Sequence, residues 1–272
     1  TNETVNVISM KITLLGTGTS CGVPVLGCKC KVCRSANPHD RRLRCAALIE
    51  TATTRLLIDC GPDIREQLMN LPFRRIDGVL LTHMHYDHVG GIDDLRPYCS
   101  FGTIPLYGDR KTLRHVRECM PYCFPHGLAQ WVESALPWLD LKLYPGVPSL
   151  SLNRIKEHIA FSVGDIDVLP VRVMHGKMPI LGFRIGGDFA YITDMKSMSS
   201  SDKELLRGVR VLVVNALRFE KPHHSHQLVA DAVNFAHEIG ARQTWLTHFN
   251  HDIGLEEEAR HRLPDDVKLA YD

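Results

Sequence analysis

Short apolar runs, each stopped by glycine, proline or a polar cluster, recur along the chain and predict strands. Lys11–Leu15 runs into Gly16-Thr17-Gly18-Thr19-Ser20, and Arg44–Glu50 and Thr54–Gly61 flank a short turn. Ile76–Leu81, Ile166–Met174, Phe189–Thr193, Val211–Ala216 and Gln243–Thr247 come next, and Ile104–Tyr107 reads as an edge-type strand because of Pro105. Two stretches take the helical period instead. Asp63–Asn70 is one, and Gln227–Gly240 is the other, with Leu228, Ala232, Phe235 and Ile239 on one face and Gly240 at its end. Gly90-Gly91 lets the chain turn tightly into a further helix. The least regular region is about 110–160, which carries Pro121, Pro125, Pro137, Pro145 and Pro148 among the aromatics Tyr122, Phe124, Trp131, Trp138 and Tyr144. It reads as a lid-like insertion, or equally as a packed subdomain or a homodimer contact. No internal repeat is present.

The polar residues at the strand ends say more about chemistry than the strands do. Thr82-His83-Met84-His85-Tyr86-Asp87-His88 comes directly after Val79-Leu80-Leu81, and His175, Asp194 and His248 stand as the first metal-competent residues past three later strands. Ligands gather at such ends because a rigid sheet carries the loops. His83 and His85, two apart, can converge on one ion, while Asp87 and His88 face a second. Imidazole nitrogens with carboxylate oxygens suit zinc, manganese or iron better than calcium or magnesium. Asp59 ends the apolar run Leu56-Leu57-Ile58, where an unpaired buried carboxylate would cost several kcal/mol. It therefore faces solvent or accepts a proton from a ligand histidine.

Cys28-Lys29-Cys30-Lys31-Val32-Cys33 supplies three thiols, and a tetrahedral structural site needs a fourth ligand. Cys21, Cys45 or a distant histidine are the candidates. The Gly16–Ser20 stretch is a tight turn or an approach to substrate phosphate. It is not a dinucleotide fingerprint, since Cys21-Gly22-Val23-Pro24 cannot open a helix cleanly.

Composition narrows the class. The chain has 272 residues and a formal net charge of +1, so no extended nucleic-acid or membrane footprint is visible. No apolar run reaches the length of a membrane span, no signal peptide precedes Met10, and residues 1–9 read as an extension. Nine cysteines, an odd number with three in one knot, point to a metal site in a reducing cytoplasm rather than to disulfides. Residues 10–272 are expected to form one domain, with the cysteine loop at 21–45.

Taken together, His83, His85, Asp87, His88, His175, Asp194 and His248 resemble the metallo-β-lactamase superfamily, with its His-x-His-x-Asp-His signature and later His, Asp and His; Asp59 matches the aspartate before the signature. The resemblance spans Lys11 to about His251. It implies an α/β fold, an αββα sandwich of two mixed sheets flanked by helices, with a two-metal site at one edge. By it, His83, His85 and His175 would bind one divalent ion, Asp87, His88 and His248 the other, and Asp194 would bridge. The cysteine knot after a Gly-Thr-Gly strand end, with His251 three residues past His248, resembles the PhnP-like phosphodiesterase branch. There Cys28, Cys30, Cys33 and His251 would hold a structural zinc, and His226 would act as general acid near the leaving oxygen, beside Asp87 and Asp194. The implied activity is hydrolysis of a small, possibly cyclic, phosphodiester by a hydroxide bridging two zinc or manganese ions. Lactonase or thioester hydrolysis, tRNA 3′-end processing and a silent small-molecule binder share the fold. His175-Gly176-Lys177 adds a cation that either steers an anionic substrate or lies free on the surface.

Overall fold

The computed structural model describes residues 10–124 and 147–272. Two sheets stack face to face. The first contains β1 (Lys11–Gly16), β2 (Ala46–Glu50), β3 (Arg55–Ile58), β4 (Gly78–Leu80), β5 (Ile104–Gly108) and β6 (Leu150–Arg154), in that spatial order. The second contains β7 (Phe161–Val163), β8 (Ile166–His175), β9 (Met178–Ile185), β10 (Phe189–Ile192), β11 (Val211–Asn215), β12 (Gln243–Thr247) and β13 (Val267–Leu269), also in chain order across the sheet. Both sheets are mixed. β3 to β6 run parallel, as do β10 to β13, while the remaining neighbours are antiparallel.

The strands read as continuous apolar runs because both faces of each are covered. Along β2, Ala47 and Ile49 join the layer between the sheets, with Ile58, Phe183, Tyr191 and Val213. Ala46 and Leu48 point the other way and pack with Ile64 and Leu68 of α1 (Ile64–Met69) and with Leu113 and Val116 of α3 (Arg110–Cys119). α2 (Tyr86–Val89) lies between them in sequence. On the far side, Leu212 and Val214 of β11 meet Leu206 of α4 (Ser200–Leu206) and Ala232, Phe235 and Ile239 of α5 (Val229–Ile239). α6 (Glu256–Arg260) adds Ala259 to that layer. This is the expected helix–sheet–sheet–helix sandwich. Gly240 ends α5 at φ 69°, the left-handed position that glycine fills without steric cost.

Two expectations change. β5 is not an edge strand: it is paired on both sides, by β4 and β6. Ile104 donates its N–H toward β6, so the missing N–H of Pro105 faces β4, whose pairing begins only at Leu106. Proline therefore removes no ladder bond there. Second, the flanks of the irregular region are regular: Arg110–Cys119 is a helix and Leu150–Arg154 a strand of the main sheet. The lid expected over Trp131, Trp138 and Tyr144 lies outside the described residues. Among the described residues, no helix is long and apolar enough to cross a membrane.

Candidate metal centre

β4 delivers the histidine cluster to the edge where β3, β8, β10 and β12 also end. The chain leaves β4 through buried Leu81 and Thr82, and Asp87 and His88 sit on the single turn of α2 rather than in open loop. Close backbone approach makes this turn possible. Cys60 N–H bonds the His88 carbonyl at 2.8 Å, and a Cβ on Gly61 would lie 2.0 Å from the Asp87 carbonyl oxygen. Only glycine fits.

Asp59 is fully buried and anchors the cluster rather than facing solvent. Its carboxylate accepts the Thr82 N–H (2.8 Å), the Thr82 hydroxyl (2.9 Å) and the His88 Nδ1–H (2.7 Å). Thr82, a residue the sequence did not flag, then accepts from His83 Nδ1 at 3.0 Å. His175 Nδ1 donates to the Ser225 carbonyl at 3.0 Å. Partners of the Nδ1 atoms thus assign the tautomers of His83, His88 and His175 and leave each Nε2 lone pair turned inward.

The inward atoms form two groups. Ligand atoms of His83, His85 and His175 lie within 4.8 Å of one another, as do those of Asp87, His88 and His248, and those of His83, His88 and Asp194. Asp194 touches both groups: its carboxylate clusters with His83 and His88 and with His175 and His226, and its Oδ1 is 3.1 Å from His248 Nε2. Yet His88 Nε2 and both ring nitrogens of His248 are buried without a hydrogen bond. Buried polar atoms are rarely left unpaired. His88 Nε2 and His248 Nε2 both lie against the Asp87 and Asp194 carboxylates without a hydrogen bond, and this donor set fits divalent cations.

Electrostatics agree. Burial alone would raise Asp194, but His248 and His88 outweigh it and hold the carboxyl well below its usual range. Burial would likewise lower His248, and the Asp194 and Asp87 carboxylates instead hold it up at about 9. His226, just before α5, is also buried; its Nε2 lies 2.9 Å from Asp194 Oδ1, and burial pushes its pKa down to about 4. Its Nδ1 lies 3.0 Å from His223 Nδ1, an arrangement the sequence did not indicate. Asp59, Asp194 and His248 all adopt left-handed backbone, at φ 60°, 54° and 59°. Such conformations are uncommon outside glycine, and they turn three strand ends sharply toward the centre.

A second cluster brings together Cys28, Cys30, Cys33 and His251. Sγ of Cys28, Cys30 and Cys33 lie 3.2, 3.4 and 3.3 Å from His251 Nδ1. Zinc with bonds of about 2.3 Å to sulfur and about 2.0 Å to nitrogen separates its tetrahedral ligands by about 3.5 Å. Cys21 is exposed and Cys45 is buried against Thr247, so neither belongs to this group. The Cys33 N–H bond draws Cys30 down to about 6, whereas burial and the neighbouring thiols push Cys33 up to about 11. One thiolate thus opposes the next until a cation joins them. Gly18 and Thr19 pair with Phe249, between His248 and His251, which ties the two clusters together. The Gly-Thr-Gly stretch packs on backbone: a Cβ on Gly16 would lie 2.0 Å from the Arg44 carbonyl oxygen.

Comparison with known proteins agrees with this geometry. The sequence model of the β-lactamase superfamily domain matches residues 54–249, which contain every donor of the two-group centre. The chain belongs to the metallo-β-lactamase superfamily. Its PhnP-like branch is also identified: a solved diphosphatase from the PhnP family superposes with a TM-score of 0.84 at 34% identity, covering 97% of this chain and 96% of that one. An octanoyltransferase of Porphyromonas gingivalis is 40% identical over 97% of the chain, which spans about half (50%) of that protein's length. A ribonuclease Z of Methanopyrus kandleri is 26% identical, over 84% of this chain and 90% of its own. The fold of that superfamily implies divalent metals.

The anchor of the centre can be tested by one atom. Asp59→Asn keeps the size and tolerates the left-handed backbone, but the amide replaces one acceptor oxygen with a donor facing His88 Nδ1–H and Thr82. We expect active-site metal affinity to fall about 10–100-fold, the usual cost of losing such a partner, in a competitive chelator titration. Unchanged affinity would mean that Asp59 does not orient the ligands.

Proposed function

We propose that the protein is a dinuclear metal-dependent phosphodiesterase acting on a small phosphodiester, with zinc or manganese in the active site and a structural zinc in the cysteine loop. The observation that carries this reading is the pair of donor groups sharing Asp194, in which His88 Nε2 and His248 Nε2 are buried without a hydrogen bond. His83, His85 and His175 would hold one ion and Asp87, His88 and His248 the other, with the Asp194 carboxylate available to both groups. Two such ions activate water near neutral pH and neutralise the non-bridging oxygens of a phosphodiester.

The chain's own residues do the rest. Asp59, Thr82 and the Ser225 carbonyl fix which imidazole nitrogen faces inward. His226, its Nε2 2.9 Å from Asp194 Oδ1, is assigned the proton given to the leaving oxygen, and His223 and Ser225 contact its other nitrogen. Lys177, exposed beside His175, has no partner among the described residues and is read as surface. All nine thiols are unpaired, which supports a reducing, cytoplasmic setting.

A second reading is favoured by one observation. The octanoyltransferase relative handles an acyl group, and the same ions can polarise a thioester carbonyl. That relative is twice as long, so its activity is not this chain's by likeness alone. Protein stripped and reloaded with manganese or zinc, assayed on bis(p-nitrophenyl) phosphate beside a lactone and an octanoyl thioester, separates the two. We expect metal-dependent diester cleavage that falls at least about 10²-fold in His226→Ala, the ordinary loss for a general acid. Cleavage of only the thioester or lactone would replace the phosphodiesterase with acyl chemistry.

A further inference from the structure

Three imidazoles of the metal centre are oriented at the ring, and His248 is not. Thr82, Asp59 and the Ser225 carbonyl hold Nδ1 of His83, His88 and His175, whereas Nδ1 of His248 is buried without a hydrogen bond. A ligating histidine is ordinarily fixed by a partner on its second nitrogen. At His248 the backbone has to do this instead. His248 turns the chain at φ 59° and Phe249 follows at once, so the seat of Phe249 decides where the imidazole points.

Phe249 is gripped on both sides of its backbone and over its ring. Its N–H donates to the Thr17 carbonyl at 2.9 Å, and its carbonyl accepts the Thr19 N–H at 2.9 Å. The guanidinium of Arg42 lies over the ring, 4.5 Å from the centroid, and both residues are buried. Arg42 Nη1 donates to the Thr17 hydroxyl at 2.8 Å and to the Ala270 carbonyl at 2.6 Å. That hydroxyl donates in turn to Asp272 Oδ1 at 2.6 Å, while Asp272 Oδ2 accepts the Leu43 N–H. One hydroxyl therefore joins the cation to the carboxylate. Burial pulls Arg42 below its ordinary value, and Asp272 leads the charges that oppose the shift.

These bonds close a ring. The Ala270 N–H donates to the Leu246 carbonyl at 2.9 Å, and Leu246 lies in β12, the strand that delivers His248. Apolar packing of Phe249 is non-directional and would not by itself fix a rotation, whereas hydrogen bonds of set direction do.

We propose that Thr17, Arg42 and Asp272 are positioning residues for His248, and through it for the ion at Asp87, His88 and His248. The proposal rests on the two-ion reading of the centre and deepens it, since none of the three belongs to a ligand group. They act on one ion and leave the other, at His83, His85 and His175, alone.

The test empties the active site with a chelator and refills it with manganese, which a thiolate knot takes poorly. Calorimetry on the unaltered protein should give two manganese dissociation constants. In Thr17→Val, which keeps the shape and loses the hydroxyl, one constant should rise about tenfold, the lower end of the cost of losing a ligand-orienting partner, and the other should stay within about twofold. Asp272→Asn, at an exposed residue, should do the same without disturbing the core. Thr17→Ser, which keeps the hydroxyl, should match the unaltered protein. Equal weakening of both ions overturns the proposal, as does no weakening, or a Thr17→Ser variant that behaves like Thr17→Val. If the unaltered protein does not take up two manganese ions, the two-ion reading fails on its own, and amide exchange in the metal-free protein decides the strut. The Thr19 and Phe249 N–H groups should then exchange about tenfold faster in Thr17→Val than in Thr17→Ser, with the amides of β10 and β11 unchanged. Equal rates at Thr19 and Phe249, or faster exchange throughout, overturn it.

Discussion

Asp194→Asn should lower metal-dependent diester turnover by at least about 10³-fold while leaving a folded protein, because it removes the one charge that both donor groups share. The Asp194 oxygens sit 3.1 Å from His248, 3.3 Å from His88 and 2.9 Å from His226. No other carboxylate among the described residues faces all three. Asparagine is the informative replacement. Asp194 holds φ at 54°, a conformation asparagine tolerates, whereas alanine would add backbone strain to the loss of charge. The Thr193 hydroxyl, which donates to Oδ2 at 2.7 Å, can still donate to an amide oxygen. Metal content measured by plasma mass spectrometry should fall alongside activity, and the melting temperature should change little. A variant that keeps both its metals and its turnover would remove Asp194 from the centre and with it the bridged two-metal reading.

Cys30→Ser should cost more stability than any surface substitution, and through a different ion. Its thiol is the one drawn down to about 6, so it supplies charge to the four-ligand cluster most readily. Serine neither ionises near neutral pH nor binds zinc comparably. We expect loss of one zinc equivalent and a melting temperature lower by about 5–10 °C, the shift that about 3 kcal/mol produces in a domain of this size. Activity should fall as well, because Thr19 N–H bonds the Phe249 carbonyl at 2.9 Å and Phe249 is the residue after His248. Cys21→Ser, exposed and outside the cluster, is the matched control. Equal zinc content and melting in the two variants would show that the knot holds no structural metal.

The two centres differ in how far they could be read from the chain. The residues proposed as metal ligands were legible because they come after apolar runs, and sheet physics puts the ends of parallel strands on one edge. The histidine beside the cysteine knot was not legible from spacing, since His251 lies 221 residues from Cys30 and only the resemblance supplied it. Thr82 escaped because a threonine after a strand has no signature; its importance comes from which carboxylate lies opposite. His223 escaped for the same reason. Among strands, β9 was missed: Met178-Pro179-Ile180-Leu181-Gly182-Phe183 carries proline and glycine, and burial on both faces erases alternation. Gly182 stands there because a Cβ would come within 2.5 Å of the Ile192 side chain. β6 was missed because an edge strand only half covered, with Asn153 and Arg154, looks like loop.

The left-handed turns at Asp59, Asp194 and His248 bear on how this site can change over generations. Each of these positions is screened twice, once by chemistry and once by backbone shape, so β-branched and bulky apolar replacements are penalised whether or not hydrolysis is still selected. His85, at φ −64°, carries no such second filter. A lineage that abandons hydrolysis but keeps the fold therefore has unequal exits. Drift at His85 is open to many residues, whereas drift at the three turns is channelled toward asparagine and glycine. A library randomised at all four positions and selected only for folding should retain that asymmetry, a record of the site in descendants that no longer use it.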